Sequence, residues 1–300
     1  MLLISRSSTG LMTAMVLQDF VGQPHIVRAL LTALRQEKLG HAYLFVGPRG
    51  IGKRELALRL AQALNCLQPR DGDGCGSCRS CRKIAAGNHP DVTVIEPEGT
   101  TIGIDAVRRL RREAAFPPFE GHYKVYILAA AETLTTEAAN SLLKILEEPP
   151  SRMVLLLLTA HPQALLPTVL SRVQKLSFRP VPQELIMQEL QTAGGIAPER
   201  AAFYAALAHG NPGEARRLAE SASLLEERAA VFELLAKLLE SPDELVIFTE
   251  SQALAAKNRD LTRFLELFMT VVRDVELLTI GMARDQLINR DKQAELERLQ

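Results

Sequence analysis

Short apolar runs alternate with helical patterns between residues 20 and 178, and this alternation constrains the fold more than any other feature. Each run is almost continuously apolar, as in strands that are buried on both faces of a parallel sheet. The five runs lie at 43–46, 92–95, 125–128, 154–158 and, more weakly, 176–178. Between them lie helical stripes, such as that of Ile26, Leu30 and Leu34. The pattern predicts a three-layer α/β domain built on a parallel sheet.

The chain beyond Pro180 has a different pattern, without strand-like runs. Prolines mark the boundaries of two short helices, and the turn at 210–213 precedes a third. From about 224 only long helices are indicated. The stretch that starts at Leu261 is apolar almost all round, so we expect it to be buried, against another subunit. This half of the chain is therefore predicted to be all-α.

Composition and charge argue against several classes of protein, namely non-specific nucleic-acid or lipid binders, membrane-spanning proteins and secreted proteins. Lys plus Arg and Asp plus Glu both number 35, so the formal net charge is zero, which argues against non-specific adhesion to nucleic acid or anionic lipid. The longest apolar run, 153–158, has the length of a strand and not of a membrane span. Residues 1–17 do not fit a secretion signal, since Asp19 stands where a small-residue cleavage site is needed. We expect a disordered leader at 1–17, a cytoplasmic protein and no membrane partner.

A glycine-rich segment, GPRGIGK at 47–53, follows a predicted strand and precedes a predicted helix, which is the context of a phosphate-binding loop. Its glycines would let backbone N–H groups surround phosphates, and its lysine would reach the terminal ones. Two interpretations stay open: a glycine turn that never bound phosphate, which we favour, and a loop that binds nucleotide passively. The candidate nucleotide-binding residues are Gly47, Gly50, Gly52 and Lys53.

The positions that should handle Mg²⁺ carry the wrong chemistry. The residue after Lys53 should be Ser or Thr, but it is Arg54, whose guanidinium would repel the ion. The strand at 125–128 should end in acidic residues, but alanines follow at 129–131, and Glu132 comes too late to lie at the strand end. Because phosphoryl transfer depends on positioning and charge stabilisation, we expect no intrinsic ATPase activity.

All four cysteines fall in one window, spaced C-x8-C-x2-C-x2-C. Four thiolates at these spacings fit tetrahedral coordination of Zn²⁺. Two disulfides are disfavoured because there is no secretion signal, and an iron–sulfur cluster because nothing indicates electron transfer. With no other type of ligand and no open position implied, the zinc is expected to be structural. The predicted ligands are Cys66, Cys75, Cys78 and Cys81.

These motifs together resemble the clamp-loader family of bacterial DNA polymerase III. The resemblance rests on the degenerate phosphate loop followed by the cysteine window, on AANSLLKILEEPP at 138–150 and on LPTVLSR at 166–172, and it covers roughly 18–220. It implies an AAA+ α/β module, a small helical lid and a helical collar that joins five subunits in a ring. The expected domains are the AAA+-like domain at 18–178 with an inserted zinc module at 66–81, the lid at 179–223 and the collar at 224–300.

The resemblance also assigns a role to Ser171 and Arg172, which match the family's Ser-Arg-Cys motif except that Val173 replaces the cysteine. It implies that Arg172 enters the ATP site of a neighbouring subunit as an arginine finger. The implied partners are gamma/tau and delta subunits, with the sliding clamp and primer–template DNA reached through the complex. We therefore expect a non-hydrolysing subunit that braces the ring.

Two alternatives stay open at this point. The first is an ATP-hydrolysing subunit of the gamma/tau type, which would need a hydroxyl at 54 and carboxylates at 129 and 130. The second is a zinc-dependent DNA-binding module. The zero net charge and the position of the cysteines inside an α/β domain count against this second alternative.

Overall fold

A computed structural model of the chain describes residues 16–240, 252, 261–283 and 286–300. The chain divides into two compact units, one that ends at Val181 and one that begins at Pro182. Residues 1–15 of the predicted leader lie outside the described residues. Leu17, the last residue of that predicted leader, is fully buried, and its N–H donates to the Asp73 carboxylate at 3.0 Å. The folded unit therefore begins before residue 18.

The first unit is built on a parallel sheet of five strands in the order β2-β3-β4-β1-β5. Each strand lies at one of the predicted apolar runs, which confirms the predicted parallel sheet. The strands are β1 Ala42–Val46, β2 Val92–Ile95, β3 Lys124–Leu128, β4 Met153–Thr159 and β5 Gln174–Ser177.

Six helices accompany the sheet. Successive residues of β4, Leu155 and Leu156, are both fully buried, so both faces of the central sheet are covered. On one face Leu155 packs in a core cluster with Val107 and Leu142 from two of the helices. The helices are α1 Pro24–Arg35, α2 Lys53–Asn65, α3 Arg79–Ala85, α4 Ile104–Ala114, α5 Thr136–Glu147 and α6 Pro167–Leu170.

The two edge strands depart from the expectation of burial on both faces. No residue of β2 is fully buried, and β5 exposes Gln174 and Lys175. Each edge strand is covered by a neighbour on one side only, so polar residues are tolerated there. Because those two polar residues belong to β5, the strand begins two positions earlier than the apolar run predicted.

The second unit is helical throughout its described residues, as predicted. Three short helices come first, and Asn211 caps the third by accepting the N–H of Glu214 at 3.2 Å. The predicted boundary between lid and collar at 223/224 falls inside this unit and stays a prediction. The helices are α7 Gln183–Gly194, α8 Pro198–Leu207, α9 Pro212–Glu220, α10 Ala222–Glu240, α11 Leu261–Thr279 and α12 Gln293–Leu299.

A buried arginine joins three parts of the second unit. Arg228 of α10 is only 1% exposed, and its guanidinium lies 4.1 Å from the ring centroid of Phe203 in α8. The same guanidinium donates to both carboxylate oxygens of Asp291, at 2.6 and 2.9 Å, while its Nε donates to Asn289 at 2.9 Å. The buried charge is therefore paired and hydrogen-bonded, as a charge removed from water must be.

One face of the helix α11 is buried within the chain and the other is not. Phe264, Leu267 and Val271 form a buried face within the second unit. The opposite face exposes Leu265 and Met269, whose side chains are more than half accessible. Burial of that face against another subunit stays a prediction.

Candidate functional site

The glycine-rich loop lies at the carboxyl end of β1, between β4 and β5. The Gly47 N–H donates to the Thr159 carbonyl of β4 at 3.1 Å, and the Phe178 N–H that follows β5 donates to the Val46 carbonyl at 2.8 Å. The loop leads into α2, whose N-terminus faces the same edge of the sheet. Ligands of open α/β sheets bind at this edge, so the structure places the loop where a nucleotide would be expected.

The loop glycines are required by the backbone conformation and by close packing against the loop. Gly50 and Gly52 have φ values of +85° and +98°, which residues with a side chain rarely adopt. A Cβ at Gly52 would also lie 2.7 Å from the ring of Phe20, and a Cβ at Gly47 would lie 2.9 Å from Phe178. These glycines are thus explained without a phosphate.

The loop lysine contacts its own loop. The Lys53 ammonium donates to the Gly47 carbonyl and, at 2.8 Å, to the Pro48 carbonyl. Burial lowers the pKa of Lys53 to about 8, although the negative charge of Glu132 partly opposes that shift. Two of the three N–H donors of the ammonium are therefore engaged within the loop itself.

The residues around the missing Mg²⁺ ligands form an arrangement that the sequence did not predict. Arg54 pairs with Glu96, which follows β2. At the end of β3, Ala130 takes a left-handed conformation with φ +56°, and Glu132 lies in the short 3-10 turn that follows. Although Glu132 comes late in the sequence, this turn brings its charge close enough to act on Lys53.

The four cysteines come together as predicted. Their sulfur atoms all lie within 4.8 Å of one another, and three of the four residues are buried. A tetrahedral centre with Zn–S bonds of about 2.3 Å separates its sulfurs by about 3.8 Å. The Sγ atoms of Cys66 and Cys78 are 3.9 Å apart, which fits that geometry. The cluster is thus able to hold a metal ion.

Backbone N–H groups point at the sulfur atoms. Cys66 accepts from the N–H groups of Cys75 and Gln68, Cys75 from that of Cys78, and Cys78 from that of Cys81 at the start of α3. Burial raises the pKa of Cys75, but hydrogen bonds with Ser77, Cys78 and Cys66 outweigh it and lower that pKa to about 6. Burial raises the pKa of Cys66 and of Cys81. A cation would favour the thiolate form at all four positions.

The cysteine loop, residues 66–81, makes contacts with the rest of the first unit that include two polar side chains that sequence reasoning missed. The Asp73 carboxylate accepts the N–H groups of Leu17 and Gln18, at 3.0 and 2.8 Å. Gln62 of α2 donates to the Cys81 carbonyl at 2.9 Å. Neither contact has a sequence signal, because the residues are far apart in the chain.

Ser171 and Arg172 follow α6 and are exposed. The Arg172 guanidinium lies 2.8 Å from the carboxylate of Glu147 and donates to the Thr168 carbonyl at 2.9 Å. Glu147 is the last residue of α5. The structure thus brings the Leu-Glu-Glu-Pro-Pro and Ser-Arg motifs into direct contact, although sequence reasoning gave Glu147 no role.

Comparisons with known proteins agree with these motifs. The family model described as "DNA polymerase III, delta subunit" matches residues 22–182. DNA polymerase III subunit delta' of Bacillus subtilis is 34% identical over 271 residues, which are 90% of this chain and 81% of that protein. The chain belongs to the DNA polymerase III delta' family. This confirms the clamp-loader resemblance that the motifs indicated.

Gamma/tau subunits are similar over a shorter stretch than the delta' family member. The gamma/tau subunit of Mycobacterium tuberculosis (strain H37Rv) is 39% identical over 165 residues, which are 55% of this chain and 28% of that protein. A solved gamma subunit-related protein from Thermotoga maritima has 23% identity and a TM-score of 0.43, with 90% of each chain covered.

Within the described residues, no helix has the length and apolarity that a membrane span needs.

Proposed function

We propose that this chain is a non-hydrolysing clamp-loader subunit of the delta' type, which braces a ring of subunits and donates Arg172 to a neighbouring ATP site. The observation that carries the proposal is the engagement of the loop's cations. Lys53 donates to two carbonyls of its own loop, and Arg54 pairs with Glu96 at the position where Mg²⁺ would need a hydroxyl.

The gamma/tau alternative is less well supported. An ATPase of that type needs carboxylates at the end of β3, where this chain has alanines at 129–131. The delta' match extends over 90% of the chain, whereas the gamma/tau match extends over 55%. The zinc-dependent DNA-binding module is also less well supported, because the cysteine loop is attached to α2 and does not stand apart as a reading element.

The implied partners follow from the family and not from contacts in this chain. We propose gamma/tau and delta subunits as ring neighbours, with the sliding clamp and primer–template DNA reached through the complex. We further propose that Cys66, Cys75, Cys78 and Cys81 hold a structural zinc ion.

The proposal is tested by measuring nucleotide binding and ATP hydrolysis. A fluorescent ATP analogue is titrated into the isolated chain and into the reconstituted loader, and phosphate release is measured in parallel. We expect no saturable binding and no turnover by the isolated chain, with Lys53→Ala unchanged. Turnover by the isolated chain that Lys53→Ala abolishes would overturn the non-hydrolysing assignment.

A further inference from the structure

Glu147 and Arg172 stand at the ends of two neighbouring helices and pair with each other. The Arg172 Nη2 atom lies 2.8 Å from Glu147 Oε1, and both side chains are partly accessible, 36% for Arg172 and 50% for Glu147. The pair therefore lies at the surface of the first unit.

The position of Glu147 needs an explanation, because a carboxylate at the C-terminus of a helix is disfavoured by the helix dipole. The place of Glu147 is fixed, since Pro149 cannot continue α5 and the last turn is held by His41, whose Nε2 lies 3.2 Å from the Leu146 carbonyl. The adjacent guanidinium of Arg172 offsets the unfavourable charge.

The backbone and the guanidinium of Arg172 are both held. Its N–H donates to the carbonyl of Val169 at 3.0 Å, and Val169 is fully buried. Its Nη1 donates to the Thr168 carbonyl and to the Ser171 hydroxyl, at 2.9 and 3.2 Å. A guanidinium has five N–H donors. These bonds and the one to Glu147 leave the Nε–H and one N–H of Nη2 for another acceptor.

We propose that Glu147 is a positioning residue for Arg172. It fixes the guanidinium in one orientation and leaves the remaining N–H groups for a phosphoryl oxygen in the neighbouring ATP site. An arginine side chain has many rotamers, so fixing it before the ring closes lowers the ordering cost in the transition state. The inference rests on the proposed arginine finger.

The experiment uses the complete loader, assembled with wild-type chain or with single variants, and measures kcat and KM for ATP with clamp and primed DNA present. We expect Glu147→Ala to lower kcat about two- to five-fold, as for loss of an exposed ion pair, with KM unchanged. Glu147→Gln keeps an acceptor oxygen without the charge and should fall in between. Glu148→Ala is the matched control, since no ion pair is seen for Glu148 in the described structure, and it should match wild type.

A double variant separates positioning from a general structural effect. If Glu147 acts through Arg172, Glu147→Ala combined with Arg172→Ala should give the same kcat as Arg172→Ala alone. Additive losses would overturn the positioning role. If Arg172→Ala lowers kcat but Glu147→Ala keeps the wild-type kcat, the positioning role of Glu147 is overturned and the arginine finger is not. An unaffected Arg172→Ala loader would overturn the finger itself. If Glu147→Ala fails to fold, Glu147→Gln and its double variant give the same comparison.

Discussion

The carboxylate of Asp291 receives two N–H groups from the guanidinium of Arg228, at 2.6 and 2.9 Å, inside the second unit. Because Arg228 is 1% exposed and also stacks on Phe203, this pair holds α8, α10 and the turn at 290–292 together. Removal of one partner would leave a buried charge without compensation.

We expect Arg228→Ala to lower the free energy of unfolding by about 3–5 kcal/mol, the usual cost of breaking a buried pair. The matched control is Arg216→Ala, which removes a more exposed arginine that pairs with Glu189 in the same unit. That change should cost less than about 1 kcal/mol. Urea denaturation of the full chain, followed by circular dichroism, gives both values. Equal small losses for the two variants would contradict the structural role of Arg228.

The same pair predicts a pH dependence. Burial raises the pKa of Asp291, but the hydrogen bonds and charge of Arg228 outweigh it and hold that pKa below its usual value. The stabilisation is therefore complete above the unfolded pKa of about 3.9 and is lost as the pH falls through the lower folded pKa. Urea denaturation between about pH 6 and pH 3 should show a smaller acid-dependent loss for Asp291→Asn than for wild type. The same loss in both would show that Asp291 does not contribute to it.

The cysteine cluster predicts one zinc ion per chain. Cys78→Ser should lower the zinc content well below one per chain and destabilise the first unit by at least about 2 kcal/mol, since metal binding is coupled to folding. Ser77→Ala is the neighbouring control and should keep its zinc, because it removes only the long hydrogen bond of the Ser77 hydroxyl to Cys75, at 3.7 Å, and keeps the Ser77 N–H. Elemental analysis and thermal denaturation measure both effects. Fully folded wild-type protein without metal would contradict the prediction.

Arg172→Ala should act only in the assembled complex. We expect hydrolysis at the neighbouring site to fall about a thousandfold or more, because the charge that stabilises the phosphoryl oxygens in the transition state is removed. Folding and zinc content should change little, since an exposed substitution shifts stability by about 0.5 kcal/mol. Gel filtration of the complex and clamp-stimulated ATP turnover are measured together. Normal assembly with normal turnover would make Arg172 a structural residue.

The central part of the fold could be predicted because its signal is local. Continuous apolar runs marked β1, β3 and β4, which are buried on both faces. The edge strand β5 gave a weaker signal, since one side faces solvent and admits Gln174 and Lys175. The apolar residues of α11 were evident in the sequence, but periodicity does not tell which of them have a neighbour inside the chain, as Phe264 has, and which do not, as Met269.

In the candidate site, too, the short motifs could be predicted from the sequence, whereas pairs of residues far apart in the chain could not. The cysteines and the glycine-rich loop are short motifs, so their grouping follows from spacing. Glu96 pairs with Arg54 over a separation of 42 residues, and such a pair depends on strand order, which no local pattern contains. The pair of Glu147 and Arg172 could not be predicted from local sequence either, because only the packing of α5 beside α6 brings the two residues together.

The N–H groups of Leu17 and Gln18 both donate to the Asp73 carboxylate, and this links local opening at the start of the first unit to the cysteine loop. The first described residues and the cysteine loop share the carboxylate of Asp73, and the Arg59 guanidinium of α2 donates to the Val16 carbonyl at 2.6 Å. When the loop opens, the amides of Leu17 and Gln18 lose their acceptor at the same moment. Hydrogen exchange at these two amides would therefore report the state of the cysteine loop, and the two segments would open as one cooperative unit.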